Sequence, residues 1–164
     1  MQSVNLRNGK LQNANLWEAN LQDSDLRQAN FEAADLQEAN LDRAVLQNAK
    51  LQNANLKGSN LSNVKLQNAN LQEADLLGAN LENANCSQAN FMRSNLQRTI
   101  FKNANLQETD LQACSLLAAN LENANLLKAN LRSAILVKAN CQGANLQKAN
   151  LLQGYVLTIV LKKD

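Results

Sequence analysis

The chain has 164 residues, 45% of them apolar and 3% aromatic, with a formal charge of +2 from 16 basic and 14 acidic side chains. That length is the size of one domain, and so small a charge excludes recognition of nucleic acid or an anionic membrane by field alone. Proline and histidine are absent, and Leu, Ala and Asn dominate, so the core must reuse two apolar side chains many times, which is the mark of a repeat.

The N-terminus, Met1-Gln2-Ser3-Val4-Asn5, has neither the basic nor the apolar region of a secretory signal. From Leu6 the period is five. Stepping to Leu151 visits 30 positions, of which 25 are Leu, three are Phe (Phe31, Phe91, Phe101) and two are Cys (Cys86, Cys141). Two residues before each stands a small side chain, Ala in 21 of the 30 units, and between them stands Asn in 19 or Asp in four. The last two positions of each unit are mixed and mostly polar. On an α-helix a step of five advances about 140° net, so the leucines would scatter around the cylinder. On a plain strand they would change faces at every step, because five is odd. The period therefore predicts a short extended piece with Ala and Leu pointing inward, a corner at the fifth position, and four units to a square coil. Thirty units make about seven and a half coils, stacked at roughly 4.8 Å into a rod of about 36 Å, with Leu16, Leu36, Leu56 and Leu76 in one vertical column of the core.

Units such as Ala14-Asn15-Leu16-Trp17-Glu18, Ala34-Asp35-Leu36-Gln37-Glu38 and Ala124-Asn125-Leu126-Leu127-Lys128 resemble the A(D/N)LXX signature of pentapeptide-repeat proteins, and the resemblance runs from residue 4 to about 153. It implies an all-β fold, a right-handed quadrilateral parallel β-helix, in a family abundant in cyanobacteria. One branch of that family resembles DNA and protects gyrase from inhibitors. Such mimicry needs a strongly negative rod, which a charge of +2 disfavours.

Where the pattern lapses, individual properties are expected. Lys10, Val45, Lys50, Lys65, Ile100, Ser115 and Ile135 replace Asn, whose amide suits a corner by bonding local backbone and tolerating unusual dihedrals. The phenylalanines and Cys86, Cys141 and Cys114 are expected as buried gap-fillers, unsuited by geometry to pair as disulfides. Three thiols without metal-ligand spacing suit a reducing compartment, so the expected location is cytoplasmic; a removed leader would allow the periplasm or thylakoid lumen. On the face of Leu16, the outward residues read Trp17, Gln37, Lys57, Leu77, Gln97, Leu117, Val137. Leu117 and Val137 are stacked neighbours with Ile135 beside them, and Leu127 and Leu152 point outward on adjoining faces. Together with Tyr155 and Trp17 these form the candidate interface.

Repeats are assigned to residues 1–153 and a cap or final partial coil to 154–164, since an open solenoid end needs cover. An enzyme is not expected: there is no His, no phosphate loop, no metal-spaced Cys/His set and no cleft in a filled prism. Glu18 and Glu38, a coil apart, continue into Gly58, Gly78 and Arg98, which reads as a surface and not an acid–base pair. Three threonines are too few for an ice-binding ladder. The Asn60-Leu61-Ser62 and Asn85-Cys86-Ser87 matches to a glycosylation acceptor follow from the abundance of Asn. No cofactor, metal, membrane or nucleic acid is expected. The sequence points to a structural or protein-interaction module, contacting another protein or a second copy through its C-terminal end.

Overall fold

The computed structural model describes residues 3–154, so the 155–164 tail, with Tyr155, lies outside the described residues. The chain winds as a square solenoid. Parallel bridges join each bridging residue to the one four units on, from Asn5↔Asp25 to Asn130↔Asn150 without interruption. One coil is therefore four units, and four columns of bridges form four faces. Among the described residues the β-pairing is one residue long per face per coil, shorter than the extended piece expected from the sequence, because a corner follows at once.

That corner takes two residues, not one. The carbonyl of each core Leu accepts the N–H three residues on, as in Gly9 N–H to Leu6 O at 2.8 Å and Ala34 N–H to Phe31 O at 2.9 Å. The second of the two turn residues is left-handed in every unit from Asn8 to Gln153, with φ between 54° and 69°, which defines a type II turn. The unusual dihedral thus falls three residues beyond the bridging Asn, not on it. Asn is the commonest residue there, Gly stands at 58, 78 and 143, and no unit places a β-branched or aromatic side chain at that site. The sterics of positive φ explain that exclusion.

Backbone donors are accounted for unit by unit. Leu26 N–H reaches Val45 O at 2.8 Å and Gln28 N–H reaches Gln47 O at 3.0 Å in the following coil, while Val45 N–H reaches back to Ser24 O at 2.9 Å. A fourth N–H closes the turn. The fifth, on the first turn residue, is accepted by the bridging side chain: every Asn and Asp in that position bonds the N–H two residues on, at 2.9–3.4 Å. Inside a sheet an unpaired N–H is costly, so the Asn or Asp supplies an acceptor that the backbone leaves wanting.

The interior is a dry column. Leu36, Leu56, Leu76, Phe31, Phe91, Phe101, Cys86 and Cys141 are buried, as is Cys114. Leu16 differs from the expectation: it packs against the core but is only partly buried, since the coil carrying it has no described coil beneath. Phe91 and Phe101 meet across the axis edge to face, centroids 6.1 Å apart and planes at 87°. Hydroxyls at the small position are satisfied locally: Ser59, Ser94 and Thr109 donate to the carbonyls of Leu56, Phe91 and Leu106 at 2.7, 2.6 and 2.7 Å.

Candidate interaction surface

The face carrying the candidate residues is built on the bridging column Asn15, Asp35, Asn55, Asp75, Asn95, Ser115, Ile135. The adjoining corner presents Trp17, Gln37, Lys57, Leu77, Gln97, Leu117 and Val137 as first turn residues. Beside them lie Glu18, Glu38, Gly58, Gly78, Arg98, Ala118 and Lys138 as second turn residues. Equal repeats stack equal positions, so these columns run parallel to the rod axis.

Exposure grades the candidates. Trp17 is 55% exposed, Leu152 68% and Ile135 39%. Leu117, Val137 and Leu127 are half-buried, because a side chain at the first turn residue lies along the surface against its neighbours one coil away. Leu117, Val137 and Ile135 are brought together by the stack, whereas Leu127 stands on another face and Trp17 six coils below Val137. Leu77, lower in the same column as Leu117, and Ile100, on the adjoining face, are 36% and 37% exposed and were not grouped with the cluster from the sequence. The signal for Ile100 was present: it breaks a column otherwise made of Asn.

Chemistry over the outer faces of the rod is electrostatic and amide in kind. Asn carboxamides bond up the faces, as Asn125 Nδ2 to Asn105 Oδ1 at 3.3 Å and Asn145 Nδ2 to Asn125 Oδ1 at 3.2 Å. Ion pairs link neighbouring coils: Arg43 with Asp23 at 2.7 Å, Lys57 with Asp75 at 3.1 Å, Lys128 with Glu108 at 3.0 Å. The Arg27 guanidinium beside Asp25 holds that carboxyl down at about 2. Hydrogen bonds from Gln88 and Lys128 lower Glu108 as well. Burial pushes the Cys114 and Cys141 thiols up to about 11 and raises Cys86 too. Among the described residues the three cysteines are free thiols, no cavity opens in the prism, and no group of three metal-ligating side chains converges.

A solenoid of four-unit coils, closed by type II turns and filled by stacked leucines, defines a repeat protein. A pentapeptide repeat region model matches residues 1–76, and a model of eight pentapeptide repeats matches residues 59–98, 84–116 and 114–151. The chain belongs to the pentapeptide-repeat family. Among solved structures it is similar to trypsin-treated QnrB1, a plasmid-mediated fluoroquinolone resistance protein, with 15% identity over 92% of this chain and 78% of that one, TM-score 0.76. At that identity the likeness bears on the fold. It is also similar to HetL of Nostoc sp. strain PCC 7120, a pentapeptide repeat protein involved in heterocyst differentiation regulation, with 33% identity over 93% and 87% of the two chains, TM-score 0.36. A third is Rfr23 of the cyanobacterium Cyanothece 51142, 38% identical over 54% and 57%, TM-score 0.44. No curated protein gives a sequence match.

Proposed function

We propose that this protein is a non-catalytic interaction module, a right-handed solenoid of seven to eight coils whose rigid faces hold contact residues at fixed spacing for a protein partner. The observation that carries this reading is the cluster of Ile135, Leu117 and Val137 on one face. An isoleucine replaces a bridging Asn there and stands 39% exposed, which gives up the cap on the Val137 N–H for an apolar side chain facing water. The contact runs through the C-terminal half of the rod. The described faces are filled and offer side chains in columns, which suits recognition by surface complementarity.

Changing Leu117 and Val137 together to Glu tests it. Both face outward, so the circular-dichroism spectrum is expected to be unchanged while partner binding, or mass in solution, is lost. If the double variant leaves binding and mass as they were, the contact is not there. A gyrase-protecting role, suggested by fluoroquinolone resistance in QnrB1, is not adopted: the charge of +2 here is opposite in sign to a DNA-like rod. Relief of quinolone inhibition of gyrase by the purified protein would reverse that judgement.

A further inference from the structure

The corner beside the apolar cluster has an order that the repeat does not require. Read from the N-terminal end, its first turn residues run from Trp17 through Leu77 to Leu117 and Val137. Its second turn residues run from Glu18 and Glu38, through Gly58 and Gly78, to Arg98 and Lys138. Acidic groups occupy one end and basic groups the other, and all four side chains are exposed. None of the four has an ion-pair partner among the described residues, although seven such pairs form elsewhere among them. The midpoint is small and open: a Cβ added at Gly78 would meet nothing within 4 Å, and Leu77 beside it is 36% exposed.

We propose that two copies of this chain pair antiparallel along this corner, about a two-fold axis at Leu77 and Gly78. The reading rests on Leu117, Val137 and Ile135 being a contact surface, and it names the occupant as a second copy. Turning one rod end for end lays column on column with equal spacing, because the coil rise is the same throughout. Trp17 then meets Val137 and Ile135 of the second copy, Glu18 meets Lys138, and Glu38 lies a coil's rise from Arg98. Leu77 meets its own counterpart where two glycines let the backbones approach. Two-fold symmetry makes each off-axis contact twice and the Leu77 contact once, as an isologous interface requires. A parallel pairing would set Glu on Glu and Arg on Arg, so charge selects the antiparallel one. Asp75 falls near the axis, but Lys57 Nζ at 3.1 Å already neutralises it in its own chain. The strip is six coil steps, about 29 Å at the inter-strand spacing, and three columns wide. That is at the small end of specific interfaces, so the association is weak and concentration-dependent.

The single tryptophan reports on the contact. Light scattering and tryptophan emission are followed together as concentration rises. The expected result is a mass climbing from 18.0 kDa toward twice that value while Trp17 emission moves to the blue. Glu18→Lys with Glu38→Lys should weaken pairing roughly tenfold or more, and adding Arg98→Glu with Lys138→Glu to the same chain should restore it. Lys128, Lys138 and Lys148 already occupy this turn position, so the reversed chain has precedent for folding there. Trp17→Ala, which removes the large contact without touching charge, should weaken pairing as well. A single-chain mass at every concentration overturns the proposal, as does a dimer indifferent to the charge reversal and to Trp17→Ala. In either case the broader contact reading is judged separately, by whether Leu117→Glu with Val137→Glu abolishes binding to a different protein.

Discussion

At each bridging position a carboxamide or carboxylate replaces a backbone acceptor that geometry cannot supply. The first turn residue points its N–H away from both neighbouring coils, and the side chain two residues earlier is the group that reaches it. Asn125 shows the full role: it accepts the Leu127 N–H at 3.2 Å and the Asn145 amide at 3.2 Å, and donates to Asn105 at 3.3 Å. Asn125→Ala is expected to cost about 1–2 kcal/mol in urea unfolding, the range for a hydrogen-bonded group removed from a ladder. Where Lys50 and Lys65 replace Asn, no carboxamide caps Gln52 or Gln67. Among the described residues these two units hold the buried side-chain acceptors without a partner, Gln52 Oε1 and Gln67 Oε1. Lys50→Asn, which supplies an acceptor for the Gln52 backbone N–H, should stabilise the protein by about 1 kcal/mol, and an unchanged urea midpoint would show that the cap is dispensable in that unit.

Single coils are not independent, because the leucines of each are covered by the coils above and below as well as by one another. Leu76 lies mid-rod and is fully buried, whereas Leu11 in the first coil is partly exposed. Leu76→Ala is expected to cost about 2–5 kcal/mol. Leu11→Ala should cost clearly less, since one side of its layer already faces water. Equal losses at the two sites would mean that the first coil is covered as well as the middle ones. Phe91 and Phe101 belong to the same scale. Their edge-to-face contact bridges opposite walls of one layer, so Phe101→Ala opens a void that leucine neighbours cannot close, at about 3–5 kcal/mol.

Carboxylates on the faces and corners titrate at the acid end and buried thiols at the alkaline end, with no histidine between them. Stability should be flat from about pH 5 to 8. On the acid side Asp25, Asp23 and Glu108 are held below their ordinary values by Arg27, Arg43, Gln88 and Lys128. The unfolded chain then takes up protons first, so their contribution is present above the ordinary carboxylate pKa and is lost as pH falls toward about 2. On the alkaline side the sign is reversed: unfolded thiols ionise near their ordinary value of 9.0, while buried Cys114 and Cys141 hold their protons to about 11. Cys86 is raised by burial too, so stability should decline as pH rises through that interval, and replacing all three cysteines with alanine should flatten the decline. A thermal-unfolding series across pH measures both limbs.

The solenoid, the family and the make-up of the core were all legible in the order of the amino acids. A phase of five maintained from Leu6 to Leu151 leaves one way to keep Leu and Ala dry, and four-unit coils follow from closing a square. The order also held a signal for the corner that periodicity alone does not reveal: no β-branched residue stands at the second turn position, because positive φ excludes it. Three-dimensional packing was needed to locate that corner, to show that the bridging Asn caps a turn instead of making it, and to leave Leu16 half-covered at the end of its column. The exposure of Leu77 and Ile100 and the open surface at Gly78 belong with these. Each depends on the coil above or below, and a repeat that makes all units alike in sequence cannot state which of them has a neighbour.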